Sequence, residues 1–503
     1  MTRSACPPAQ RWAFVAVLAL AAGLRAWVAL NTGPVHPDEI FQYLEQAHRI
    51  VFGNGIVTWE SRYGMRSALL PLLLSVPMRI GDGIAPGSDL YLILPRLSMA
   101  AFSLVAVVAA YGLGARLSRF HGFVAMAVAA VWPDIAYFGG HVLTEPASTA
   151  LVLAGAALLL PEEASRRHLL LAGLLLGLAG ILRFHYLPAI AVLVLLSCGT
   201  DWRGRWLPLI GGGLVAAAIG ACVDLAMGQA PFGWIVANFV QNVVVNRSAD
   251  FGVQPPLVYL TWLGIMWSFA LAAIPLLILP VLKPYRALIA AAVFNLLLHG
   301  LIGHKEYRFI FLTVAILVVV AAIGSAKLVR RLQPKLSPRG AMLAAIAVVP
   351  LWFGASAALA SAGKLATPWR AFFAGSEAAL ALRDQPGLCG VGIVSLNVWD
   401  TGGYTYLRRP LPIYASAPPF GKIAQPPLAQ ITPAFNGIIV PETAVGRLPA
   451  GYRLVGCSSA HTGIDPQALR RPVRVCAFLR PGGCDAAAGA GQDIQSVMKR
   501  HDW

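Results

Sequence analysis

Charge is scarce in this chain. Only 12% of its 503 residues are Asp, Glu, Lys or Arg, 57% are hydrophobic, and mean hydropathy is +0.68. No water-soluble core of this length needs so much apolar sequence, so composition excludes a soluble globular protein and places most of the chain against lipid or between membrane helices. Acids are scarcer still, 22 against 39 Lys plus Arg, for a formal charge of +17. Such an excess can signal nucleic acid, but the chain lacks an uninterrupted basic arm. Its bases fall in short clusters between apolar runs, at Arg116 and Arg119, Arg166 and Arg167, Arg203 and Arg205, Lys283 and Arg286, and Lys327 through Arg339. That alternation is the bias that keeps loops cytoplasmic, and it argues for a lipid bilayer as partner and against nucleic acid. Seven cysteines are too few for a disulfide scaffold. Four of them, Cys389, Cys457, Cys476 and Cys484, fall in the final segment, where three pairings are open and none is favoured. No metal-ligand spacing accompanies them, so no metal and no cofactor is indicated.

Long apolar runs are what the chain has in abundance. Candidate spans cover residues 12–30, 90–114, 121–138, 146–160, 168–183, 186–200, 207–228, 258–281, 287–303, 308–326 and 341–362, about 11 crossings. The first is read as an uncleaved helix entering from the cytoplasm, because cleavage would free the polar stretch beyond it from the membrane. Placing the basic clusters inside puts a first loop (31–89), Glu145, Arg183 with His185, the loop 229–257 and His304 to Arg308 on the outer face. Within the first loop, Leu69 to Val76 is short and broken by Pro71 and Pro77, so it is expected to rest at the interface. From residue 363 Gly and Pro punctuate short strands at Val391–Val398, Gly437–Val440, Tyr452–Val455 and Val473–Leu479, with a helix over Trp369–Arg383. The expected fold is an all-α polytopic membrane domain (1–362) followed by a small outer α/β domain (363–503), its tail after Gly482 disordered.

The polar stretch His36-Pro37-Asp38-Glu39-Ile40-Phe41-Gln42-Tyr43-Leu44-Glu45 reads as a helix start. Pro37 fits a first helical position and the two acids favour the first turn. Ile40, Leu44, Ala47 and Val51 recur on one side and Asp38, Gln42, Glu45 and Arg49 on another, until Gly53 and Gly55 end the pattern. This predicts an amphipathic helix on the membrane surface, whose acids either cap it or do chemistry. Thr58-Trp59-Glu60-Ser61-Arg62-Tyr63-Gly64-Met65-Arg66-Ser67 follows, and His304-Lys305-Glu306-Tyr307-Arg308-Phe309-Ile310 lies between two apolar runs. His304, Lys305 and Arg308 are the donors a phosphate needs, and the acid Glu306 among them fits a fixed polar network better than snorkelling bases. Glu60, Arg62 and Arg66 are candidates to bind substrate, and Trp59 either stacks on a sugar or sits in an interfacial belt. Glu145 and Arg183 at outer helix ends are candidates too, or structural partners.

Together these three motifs resemble glycosyltransferase family 22, the polyprenyl-phosphate-mannose-dependent α-mannosyltransferases of GPI-anchor and N-glycan assembly. Asn238 to Asn242 and Phe251 to Tyr259 are similar to the family's long outer loop. Ser61 stands where the family usually has a second Trp, Tyr307 where it has a second Glu, and the Pro that often follows the last motif is absent. The resemblance covers about the first 360 residues and implies a GT-C fold. It implies a polyprenyl-phosphate sugar as donor and a glycan or glycolipid as acceptor, with the active site in the periplasm or the lumen of the endoplasmic reticulum. It also implies Asp38, or alternatively Glu39, as the base for an inverting transfer, with His36 and Gln42 beside them in the substrate site. The rival readings are a transferase of another polyprenyl-phosphate sugar and a polytopic transporter. Transporters place ionisable groups near the bilayer midplane, whereas here the acids cluster at outer ends.

Overall fold

In a computed structural model, residues 8–34, 36–361, 374–415, 427–458 and 474–501 are described. Five helices there are long and apolar enough to cross a membrane: Arg11–Asn31, Leu90–Ala115, Trp202–Ala226, Tyr307–Lys335 and Pro338–Ser361. Val258–Trp267 and Ala270–Val281 make a sixth if taken together, although they meet at a bend of 100°. Ser268, with φ at 46°, ends the first half in a conformation no helix can continue. Arg119–Val131, Thr144–Leu159, Phe184–Cys198 and Arg286–Leu301 are shorter apolar helices at other expected positions. The protein is therefore an integral membrane protein, and five or six helices among the described residues are long and apolar enough to span by themselves. The larger figure expected from sequence includes segments such as Thr144–Leu159, 16 residues long and mostly buried against other helices. Such a helix rises about 24 Å, less than a hydrocarbon core, and its burial in protein makes the shortfall tolerable.

The chain forms two compact units. The first comprises Met1–Leu30, Ser67–Leu69 and Arg96–Ala366. Its centre is the helix Phe311–Leu332, in which every residue from Phe311 to Ala326 except Leu317 is buried. Small residues allow close approach around it. A Cβ at Gly173 would fall 1.9 Å from the Leu209 carbonyl oxygen, and one at Gly212 1.9 Å from that of Leu170, so helices Arg166–Leu182 and Leu207–Ala226 pack backbone to backbone. Arg25, fully buried in the first span, donates to the carbonyls of Ala129 and Ala130 at 3.0 Å each, satisfying the open C-terminus of Arg119–Val131.

The second unit joins Asn31–Arg66 and Leu70–Pro95 to Thr367–Trp503, so compactness does not follow the chain boundary near residue 362. Its sheet has the order β2-β1-β3-β5-β4, from β1 (Val391–Ile393), β2 (Ile413–Ala415), β3 (Gly437–Pro441), β4 (Arg453–Cys457) and β5 (Val475–Leu479). β1 runs parallel to β2 and β3, and β5 antiparallel to β3 and β4. All five residues of β3 are buried, whereas edge strand β4 begins with two exposed ones. Disulfides join Cys389 to Cys484 and Cys457 to Cys476. The helix expected at 369–383 is described over Ala374–Arg383, its beginning lying outside the described residues. In the first loop, the helix Leu69–Ile84 buries Leu70, Leu74 and Met78 and exposes an apolar stripe of Leu73, Val76, Ile80 and Ile84.

Three expectations need correction. Strand β2 was not anticipated, because three residues carry no readable alternation. The tail is ordered: Asp493 caps the helix Ile494–Arg500, whose Ile494, Val497 and Met498 are buried, and the Cys389–Cys484 bond fixes the chain just upstream. The helix after Pro37 has no solvated polar face. Every residue from Glu39 to Glu45 is buried, because Gln42 and Glu45 face partners within the same unit.

Candidate functional site

The predicted site residues fall into two clusters, one in each unit. In the second unit the helix begins at Pro37, widens into a π turn over Glu39–Leu44, continues as Glu45–Phe52, and ends at Gly53 in the left-handed region (φ 78°). A π turn holds an extra residue, so side chains beyond it are rotated relative to a regular helix. The two acids at its start differ. Glu39 is buried and its Oε1 accepts from the His36 backbone N–H at 3.3 Å, a reach back over the first turn. Asp38 makes no capping bond to the following turn. Its carboxylate lies 3.6 Å from His36 Nδ1, and its own N–H donates to that nitrogen at 3.2 Å.

Glu60 joins this cluster. It is buried, accepts from Gln42 Nε2 at 2.8 Å, and lies 3.8 Å from Arg66 Nη2. Burial pushes its carboxyl pKa up, the Arg66 guanidinium opposes the rise, and the charge of Asp38 adds to it. Thr58 caps the turn that carries Trp59, Glu60 and Arg62, accepting from Ser61 N at 3.4 Å. Trp59 is buried, so it packs inside the unit, and Arg62 donates to the Val57 carbonyl at 3.3 Å.

In the first unit, Glu145 sits fully buried in the first turn of Thr144–Leu159. Its Oε1 accepts from Arg308 Nη1 at 2.7 Å and pairs with Arg183 Nη1 at 3.0 Å. Arg308 Nε donates to Glu306 Oε2 at 2.6 Å, and Glu306 Oε1 is 3.0 Å from His304 Nε2. Five residues predicted from three separate stretches thus form one ionic chain. Both guanidiniums lie over the Phe309 ring, Arg183 at 5.0 Å and Arg308 at 5.1 Å from its centre. Lys305 is buried and donates to the backbone carbonyls of Gln254 (3.1 Å) and Ile302, so it ties the loop 229–257 to the His304 motif.

Two features escaped sequence reading. Asp134 accepts from Trp132 Nε1 (2.9 Å), Trp267 Nε1 (3.0 Å) and the Tyr307 hydroxyl (3.0 Å). Tyr307, the departure from the resembled motif, therefore packs the motif onto a buried acid. His299 is buried beside the ionic chain, its ring 6.2 Å from Phe309 and 6.4 Å from His185. Its Nδ1 meets the Asn295 carbonyl at 2.9 Å, and its Nε2 has no hydrogen-bond partner among the described residues. The signal for it was Asn295 and His299 four apart inside an apolar run.

The profile of the Alg9-like mannosyltransferase family matches residues 12–363. The chain belongs to that family. Among curated proteins, GPI mannosyltransferase 3 of Yarrowia lipolytica is 29% identical over 348 residues, 63% of each chain. GPI alpha-1,2-mannosyltransferase 3 of Homo sapiens is 29% identical over 304 residues, 55% of this chain and 51% of the human one. The chain thus spans between half and two thirds of the length of these relatives. Among solved structures, ArnT from Cupriavidus metallidurans bound to undecaprenyl phosphate superposes with a TM-score of 0.59 at 14% identity, covering 92% of this chain and 98% of that one. That likeness extends to the fold alone.

Proposed function

We propose that this family member is a membrane mannosyltransferase that moves mannose from a polyprenyl-phosphate donor to a hydroxyl of a glycan or glycolipid. The names of the relatives, GPI mannosyltransferases, support a glycolipid acceptor. Asp38 removes the acceptor proton as the new glycosidic bond forms, the bond from the sugar carbon to phosphate breaks, and polyprenyl phosphate leaves. One displacement inverts the sugar carbon and needs no covalent intermediate and no cofactor. The observation that carries this reading is the difference between the paired acids. Glu39 is buried and accepts from the backbone of its own first turn, while Asp38 is partly exposed, with its carboxylate 3.6 Å from the His36 imidazole. A base must be able to reach its substrate, and the more exposed carboxylate of the pair is the one that can.

The basic residues serve the departing phosphate. Arg183 and Arg308 share the Glu145 carboxylate, which holds two planar forks in fixed orientation, and Glu306 holds Arg308 from a second side. Preorganised cations cost little reorganisation when charge develops on the leaving group. His304 completes this set and Lys305 holds its motif in place through the Gln254 and Ile302 carbonyls, while His36, Gln42, Glu60, Arg62 and Arg66 serve the sugar and acceptor, supported by the buried Trp59. The active site faces the periplasm or lumen, by the charge bias of the loops. Sugar transfer by purified protein in proteoliposomes, with labelled polyprenyl-phosphate mannose, glucose and arabinose compared, tests the proposal. Mannose transfer alone is expected; transfer of another of these sugars at an equal rate, or none of mannose, refutes it.

A further inference from the structure

At the end of the first unit that the basic loops assign to the cytoplasm, a cleft of about 330 Å³ is lined by Leu117, His121, Lys327, Arg330 and Arg331. None of the five is acidic. Lys327 and Arg331 are four apart on one helix and Arg330 lies between them, so like charges crowd one face, an arrangement that costs stability unless something neutralises it. Among the described residues neither Lys327 nor Arg331 has an ion-pair or hydrogen-bond partner. Arg330 is held over the Phe120 ring at 5.0 Å and donates to Gln333 Oε1 at 3.3 Å.

The cleft also contains a buried polar atom with nothing to bond. His121 is only 7% exposed, its Nδ1 lies 2.7 Å from the Ser118 hydroxyl, and its Nε2 has no partner among the described residues. When the Ser118 hydroxyl donates to Nδ1, Nε2 carries the hydrogen and is a donor. His121 also stands in the first turn of Arg119–Val131, where the helix dipole favours an anion. A bias for cytoplasmic loops alone needs bases on the surface. It does not need a cleft with a buried imidazole donor at its wall.

We infer that this cleft binds a phosphate-bearing anion, with Lys327, Arg330 and Arg331 supplying charge and His121 Nε2 a hydrogen bond. The surroundings favour the headgroup of an acidic phospholipid over free phosphate. Leu117 lines the cleft, and Leu328 and Leu332 on the same helix as the cations are 40% and 43% exposed, offering apolar surface to an acyl chain.

The test uses the full-length protein in detergent, by native mass spectrometry after incubation with phosphatidylglycerol or phosphatidylcholine. A parallel calorimetric titration of delipidated protein uses inorganic phosphate. Wild type should retain phosphatidylglycerol in preference to phosphatidylcholine. The double variant Lys327→Gln with Arg331→Gln should lose it by about 10- to 30-fold, as removal of two surface charges near a lipid phosphate implies. His121→Phe keeps a flat aromatic ring and removes the donor, and should weaken retention several-fold at a temperature well below the unfolding of the variant. Saturable binding of inorganic phosphate, lost in the double variant and without lipid retention, would keep the site and assign it to a soluble phosphate. Equal retention of the two lipids, or unchanged retention and phosphate binding in the double variant, would overturn the inference.

Discussion

Glu45 offers the most direct physical test of how the acidic loop helix is held. It is completely buried, and its carboxylate accepts from the backbone N–H of Ile56 at 2.7 Å, of Tyr404 at 3.0 Å and of Thr405 at 2.7 Å, and from the Thr405 hydroxyl. Tyr404 and Thr405 lie in the first turn of the helix Gly403–Leu407, so a side chain 360 residues away caps that turn. Glu45→Ala leaves four buried donors without an acceptor. At about 1–3 kcal/mol for each group left unmade, partly offset by water entering the space, we expect a loss of roughly 3–5 kcal/mol in the contact. Glu45→Gln preserves shape but turns an N–H₂ toward donors and should cost less, and Thr405→Val, which removes one donor, least. Hydrogen exchange of the Ile56 and Thr405 amides measures this locally: a loss of 3 kcal/mol should speed exchange by about 10² where these amides open together. Sugar transfer should fall in the same order, because the helix carrying Asp38 loses its anchor. Unchanged protection at Thr405 in Glu45→Ala would refute the anchoring argument, whatever happened to activity.

Four further outcomes follow from the two clusters. Asp38→Asn keeps shape and hydrogen bonding but not basicity, so transfer should drop by on the order of 10² to 10⁴ with binding retained; loss in Glu39→Gln with activity in Asp38→Asn would move the base to Glu39. Arg308→Ala should lower kcat/KM for the lipid-phosphate donor by on the order of 10², and Arg308→Lys should not restore it, since one ammonium cannot serve Glu145 and Glu306 as a fork. Because burial raises the Glu60 pKa, the folded state holds a proton that the unfolded state releases near pH 4.5, and stability falls as pH rises from there through the folded value. Glu60→Gln should therefore gain in melting temperature relative to wild type as pH rises through that window, and a difference flat with pH would remove the burial argument. An impermeant thiol reagent on intact cells should label Ser61→Cys and miss Ser337→Cys; the reverse would invert the topology.

What could be read from sequence was what is local. Pro37 and Gly53 bound the helix as expected, because helix ends depend on neighbours in the chain. The ionic chain was legible only as parts. His304 to Arg308 signalled fixed polarity through the acid among its bases, but nothing local pairs Arg308 with Glu145, 163 residues earlier. Polar spacing also misled. Gln42, Glu45 and Arg49 repeat like a solvated face, and period alone does not distinguish a carboxylate in water from one buried against amides supplied from elsewhere. The disulfide pairing was open for the same reason, since proximity of Cys389 to Cys484 is a product of the sheet rather than of spacing.

The family match ends at residue 363, and the recognisable motifs all precede it. The physical dependence of the loop helix does not end there. Phe41 meets the Trp399 ring edge-on with centres 4.8 Å apart. Glu45 is satisfied at Tyr404 and Thr405, and Val57 N donates to Gln495 Oε1 at 3.2 Å. Gly403 fits this arrangement only without a side chain, because its φ is 56° and a Cβ would fall 2.9 Å from Phe41 and 3.0 Å from both Glu45 carboxylate oxygens. A buried carboxylate that lost these partners would have to find water instead, and that would loosen the turn that carries Asp38. The segment after residue 363 is thus bound to the acidic loop by interactions as specific as those within the motifs, which explains why the first loop and the C-terminal sheet form one compact unit although most of the chain separates them.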